Sequence, residues 1–330
     1  MNRTTAFRVL GAMVCLLLTT TTFAQRIYVK AGAQGDGTSW SQAAGDLARV
    51  MATAKPGAEI WVAKGTYTPG NSRYDVFLLR NGVAVYGGFA GHETTLAERD
   101  VYRNVTVLSG EIGTPSPEDN TYNVVHVTGW SDATRLDGFV IRGGHANGSG
   151  APGSRQRGGG GLYLEATDAG TMEVQIVNCT IEHNYGKDGG AVYVASSHGR
   201  KANPVFVSCV FRDNRADLDG GALHIDARIG GKSQPQLWHC TFENNLGNYG
   251  GALFANGFNG HAEPVLRYCT FTHNSAYVRG GAIYHMDSKG FASSSVEGCQ
   301  FVDTKDAYGT EHILSYSDQR KASESLFSRL

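Results

Sequence analysis

The chain has no apolar run long enough to span a bilayer, no excess of either charge, and no unit with the period-3.6 pattern of a helical repeat. Its 29 Lys and Arg stand against 30 Asp and Glu. Nothing in that balance points to nucleic acid or an anionic membrane as a partner. None of the cysteines forms a CxxC pair or joins histidine at ligand spacing, which argues against a zinc centre. The eleven histidines are scattered, and none pairs with serine or cysteine in a pattern suited to nucleophilic catalysis. The leucine-rich and calcium-binding nonapeptide repeat patterns are also missing.

What the chain does have is 44 glycines and one unit written repeatedly. Cys179, Cys209, Cys240, Cys269 and Cys299 follow one another at steps of 30, 31, 29 and 30 residues. Two residues after each stands Ile181, Phe211, Phe242, Phe271 or Phe301. Five residues after the first four stands Asn184, Asn214, Asn245 or Asn274. A glycine pair then opens a short apolar run, at Gly159-Gly160, Gly189-Gly190, Gly220-Gly221, Gly250-Gly251 and Gly280-Gly281. Each unit holds short runs rich in valine, isoleucine and aromatics between turn residues, which is strand chemistry. Self-similarity at a fixed period means a solenoid. A coil of about thirty residues made only of strands predicts an all-β, single parallel β-helix.

Stacking at strand separation, roughly 4.7–4.9 Å, turns equivalent residues into columns. Three are expected to point inward: Ile176, Phe206, Leu237, Leu266, Val296; the bulky residue after each cysteine; and Leu162, Val192, Leu223, Leu253, Ile283. The asparagine column is expected to pass hydrogen bonds between coils. The five cysteines are expected to be stacked reduced thiols, because a column aligns their Cβ vectors in parallel and strains any disulfide. The glycine pairs fit a tight turn or a close backbone approach.

Residues 1–24, with Arg3 and Arg8 before an apolar stretch and Thr22-Phe23-Ala24, read as a secretory signal peptide. Export implies an extracellular or outer-membrane surface location, or the periplasm. From 25 to 58 the sequence predicts a strand and an amphipathic helix sealing the solenoid. Ser39-Trp40-Ser41-Gln42 is its capping box, Leu47, Val50, Met51 and Ala54 its apolar stripe, and Pro56-Gly57 its end. Residues 59–157 read as about four irregular coils with strands at 60–62, 76–79, 83–86, 105–108, 124–127 and 139–141. There Gly138 stands in the cysteine's place, and 143–158 is a flexible loop. Residues 158–302 are the regular repeats, the solenoid runs over 25–315, and 316–330 is a polar tail that caps the last coil or is disordered.

The combination Cys-x-Phe-x-x-Asn followed by Gly-Gly-Ala-Ile/Leu/Val-Tyr resembles the repeats of polymorphic outer membrane proteins, within the pectin-lyase-like right-handed β-helix superfamily. Gly37-Thr38-Ser39-Trp40, 60–67 and Tyr86-Gly87-Gly88-Phe89 are similar to the opening coils of secreted Bacteroidetes β-helix proteins. The resemblance implies a right-handed helix and an exported, adhesin-like protein. It also implies a choice, since the superfamily includes polysaccharide lyases and glycosidases. Residues 303–330 are not expected to form the C-terminal autotransporter barrel of the polymorphic family.

Two sets of residues are candidates for function. Tyr163, Tyr193, His224, Phe254 and Tyr284 alternate with an inward column and are therefore expected either to face out, as a stacking ladder for glycans or a partner protein, or to lie beneath a loop as cross-strand stacking that stabilises the sheet. Asp188 and Asp219 are expected to be adjacent in a solvated turn, with Lys187, Asp213 and Arg215 nearby. Like charges at one strand spacing repel unless a cation lies between them. The expected function is a monomeric, non-catalytic binding or adhesion scaffold for an extracellular glycan or a cell-surface protein, with no cofactor. The alternative is a carbohydrate-active enzyme on the same fold, with Ca2+ needed only if it is a lyase.

Overall fold

The computed structural model describes residues 25–309 and 312–327; the expected leader, 1–24, lies outside them. Every pairing between named strands is parallel and joins a strand to its equivalent one coil away. The strands form a nine-stranded sheet, two eight-stranded sheets and smaller sheets of five and four strands. The nine-stranded sheet starts at Arg26–Val29, Glu59–Ala63, Ala84–Phe89 and Arg135–Asp137, and continues from Gln175–Val177 to Ser295–Glu297. Four strands thus precede the regular repeats. The chain is a parallel β-helix.

The columns form as the period requires. Ile176, Phe206, Leu237 and Leu266 are in register and fully buried. Phe211, Phe242, Phe271 and Phe301 stack face to face at 4.6, 4.7 and 4.9 Å between ring centroids. The last coil departs from the pattern. Val296 is 39% exposed, because Ser295–Glu297 is the final strand of its sheet and nothing among the described residues stacks beyond it. Cys299 is half-buried for the same reason.

Asparagine and cysteine connect the coils. Asn214 Nδ2 donates to the Ile181 carbonyl (2.8 Å) and to Asn245 Oδ1 (3.1 Å), and its Oδ1 accepts from Asn184 N and Nδ2. The same pattern joins Asn245 to Asn274. Cys209 Sγ donates to the Ile176 carbonyl of the previous coil (3.3 Å), and Cys269 Sγ to that of Leu237 (3.4 Å). The glycine pair does two jobs. Its first member has positive φ (61° at Gly189), and a Cβ on Gly190 would lie 2.3 Å from the Gly221 carbonyl of the next coil.

Three sequence expectations need correction. Ser39 caps a separate 3-10 turn, Trp40–Gln42, and helix α1 (Leu47–Thr53) is capped by Asp46, which accepts from Arg49 N. The short Asp side chain next to the helix competes successfully for its first free N–H groups. Leu47, Val50 and Met51 are buried as the stripe requires, and α1 packs on strand Phe77–Leu79. Second, Asp137 pairs with Val177 and Val140 with Thr180. Phe139, not Gly138, therefore occupies the cysteine's place, and Gly138 shares the left-handed bend of Asn178. Third, part of 143–158 is strand: His145–Ala146 pairs with Tyr185–Gly186.

At the far end Ile313–Ser315 adds one more strand beside Ile283–Met286, and helix α2 (Tyr316–Phe327) follows and packs on both. No described helix is long and apolar enough to cross a membrane.

Candidate functional site

The aromatic ladder is in register but is not a surface. Tyr163, Tyr193, His224, Phe254 and Tyr284 are 5, 1, 3, 1 and 1% exposed. Alternation placed them outside the solenoid core correctly. Of the two alternatives the sequence left, cover by other segments is the one found. Tyr163 Oη donates to the Gly153 carbonyl (2.6 Å), inside the 147–158 insert. A Cβ on Gly158 would lie 2.7 Å from the Tyr193 ring, so the insert rests directly on it. Tyr284 Oη donates to Gln319 Oε1 of α2 (3.0 Å). The rings stack beneath this roof, Tyr163 on Tyr193 at 5.6 Å and Tyr193 on His224 at 4.9 Å. The stacking of Tyr193, His224, Phe254 and Tyr284 stabilises the sheet; Tyr163, at the N-terminal end of the ladder, also lines a pocket.

The insert also walls a pocket of about 370 Å3 on its N-terminal side. Arg73, Tyr74, Tyr122, Asn123, Arg155 and Glu165 contribute to its lining. Tyr74 is 58% exposed and meets Tyr122 edge-on at 5.2 Å. The Arg73 guanidinium lies 4.2 Å from the Tyr122 ring centre and donates to the carbonyls of Asn120 (2.8 Å) and His145 (2.9 Å). It is thus a fixed cation, and it clamps one ring. Gln156 Nε2 donates to Tyr74 Oη (3.2 Å). Glu165 is bonded to His126 Nε2 (2.8 Å), and that bond holds its carboxyl below the usual range. Two buried polar atoms of the lining, Asn123 Oδ1 and Ser154 Oγ, have no partner in the protein. Buried polar atoms without partners are uncommon in folded proteins.

Of this lining, sequence reasoning singled out only Tyr163. Tyr74 and Tyr122 belong to inserts outside the period, and polar neighbours such as Asn71-Ser72-Arg73 and Asn120-Thr121 are the only local signal.

On the other side of the insert, Asp188 and Asp219 are brought together as expected, but not in a solvated turn. Asp188 is 8% exposed. One ligand-type atom each from Asp188, Asp219 and His224 lie within 4.8 Å of one another. Burial, and then the charge of Asp188, pushes the Asp219 carboxyl up to about 7. Burial pushes the His224 imidazole down. Asp213 is not part of the group, and Arg215 lies by Asp217 at 3.9 Å; cations near the group are Arg157, with Nη2 3.6 Å from Asp188 Oδ2, and Arg228, whose charge acts on Asp219. Asp226, the third carboxylate, is already satisfied. Arg228 donates to both its oxygens (2.7 and 2.9 Å) and Tyr193 Oη to one (2.7 Å). Burial alone would raise its pKa, but these bonds and the nearby His224 hold it at about 2.

The family match over the regular repeats agrees with the architecture. Residues 158–314 match the family described as right handed beta helix region. Among solved structures, a rhamnogalacturonan lyase superposes with a TM-score of 0.47 at 14% identity, covering 85% of this chain and 74% of that one. A pectate lyase, Pel9A, superposes with a TM-score of 0.44 at 16% identity, covering 90% and 83%. No curated protein matches the chain.

Proposed function

We propose that this right-handed parallel β-helix is an exported, non-catalytic carbohydrate-binding protein, and that its ligand seats in the pocket walled by the 147–158 insert. The observation that carries the reading is the pairing of two aromatic rings, Tyr74 and Tyr122, with the unpartnered Asn123 Oδ1 and Ser154 Oγ. A sugar offers an apolar ring face for the first and hydroxyl groups for the second. Arg155, within Coulombic reach of Glu165, adds a cation suited to an acidic sugar. Glu165 is the one carboxylate in the lining, so the two-carboxylate machinery of a glycosidase is not present there. Export rests on the character of residues 1–24.

A glycan array of neutral and acidic polysaccharides tests the proposal. The protein is expected to bind a subset, and Tyr74→Ala and Tyr122→Ala to lose binding roughly tenfold or more, about 1.4 kcal/mol. The same polysaccharides should release no product, with or without calcium. Unchanged binding in both variants would overturn the pocket, and clear depolymerisation would replace binding with the enzyme reading.

A further inference from the structure

We propose that Asp188, Asp219 and His224 form a binding site for a divalent metal ion of borderline softness, of the Zn2+ kind. The three converge from adjacent coils, with one donor atom from each within 4.8 Å of the others. Asp188 and Asp219 hold the same place in successive coils, just before the glycine pairs. His224 lies in strand Leu223–Asp226, which follows Asp219. The turn at Gly189 admits the imidazole: a Cβ there would lie 3.0 Å from His224 Cβ.

The imidazole is what distinguishes this group from a plain acidic pair. It is 3% exposed and held between the rings of Tyr193 and Phe254, each 4.9 Å away. Nδ1 lies 3.4 Å from the Asp219 carbonyl oxygen. With Nδ1–H donating there, the lone pair is left on Nε2, which is buried and has no partner. Metal-ligating histidines commonly give their other ring N–H to a backbone carbonyl in this way.

The donor set selects the ion. Two carboxylate oxygens and one imidazole nitrogen suit Zn2+ and its first-row neighbours. Ca2+ prefers roughly six to eight oxygens and gains little from imidazole. Bonds of about 2.0–2.2 Å require the donors to draw in by roughly 1 Å. Arg157 approaches one oxygen of Asp188 at 3.6 Å and leaves the other for the ion. Asp226 is not a ligand, since Arg228 and Tyr193 engage its oxygens. Asp219 is partly exposed and gives the ion a way in.

The site is separate from the carbohydrate pocket and does not depend on it. Calcium- and zinc-free full-length protein, titrated with Zn2+ by calorimetry, is expected to bind one equivalent, with Ca2+ failing to compete. Asp219→Asn and His224→Phe should each weaken binding by more than the roughly 10–100-fold that loss of an outer-shell partner costs. His224→Phe places in the ladder the residue that Phe254 already provides, so its circular dichroism and melting should stay near wild type. Tyr122→Ala should leave Zn2+ binding unchanged. Zn2+ affinity equal to wild type in both ligand variants would overturn the proposal, as would no binding by folded wild type, or Ca2+ displacing Zn2+.

Discussion

An asparagine taken from the middle of the ladder strands groups in two coils. Asn214→Ala takes a partner from the Ile181 carbonyl and the Asn184 side-chain amide on one side and from Asn245 Oδ1 on the other, and it should cost roughly 2–4 kcal/mol in urea unfolding. Phe242→Ala opens a gap between Phe211 and Phe271, each about one ring spacing away, and should cost about 3–5 kcal/mol. The cysteines give a prediction of a different kind. Burial pushes the Cys179 thiol up to about 12, while Cys299 is only half-buried. In the native protein a thiol reagent should modify Cys299 first and Cys179, Cys209, Cys240 and Cys269 only on unfolding. Prompt native labelling of Cys209 would contradict the ladder. These columns were legible in the sequence because a strict period leaves one way to stack. The burial of Tyr193 was not, because residues far away in sequence roof it.

Elements at the two ends follow different logic. At the start, Asp46 caps α1 and not Ser39, where the capping-box motif pointed; both sequences are good caps, and only the backbone path decides which one meets a helix. At the end, Asp287 Oδ1 accepts from Ser317 N and Oδ2 from Ser317 Oγ, fixing the first turn of α2. Asp287→Ala should cost about 1 kcal/mol and raise hydrogen exchange within Tyr316–Phe327. In the neighbouring strand, burial lowers the His285 imidazole to about 4, while its ring bonds Ser294 Oγ (2.7 Å). Between about pH 6.5 and about pH 4 the unfolded chain takes up a proton there that the native one refuses, so stability falls as pH falls through this window. Urea stability measured at about pH 7 and about pH 5 should drop less for His285→Gln than for wild type. Equal drops would show that His285 is not held neutral.

At the scale of the whole molecule, the regular half of the solenoid supplies the stacked columns, and the irregular inserts supply most of the pocket lining. The period specified the fold, the register and the interior of 158–302 almost completely. It said little about function, because the pocket residues Tyr74, Tyr122, Asn123 and Arg155 come from segments with no period, joined only when coils stack. Asp188 and Asp219 stood out in the sequence because they share a column; His224 did not, because its column reads as aromatic. The most direct test of the carbohydrate reading is a crystal structure with an oligosaccharide identified on the array. A sugar ring against Tyr74 and Tyr122, with a hydroxyl in bonding reach of Asn123 Oδ1, is the predicted result. A sugar held elsewhere, for example in the groove of Lys201, Lys232 and His261, with this pocket empty, would contradict it.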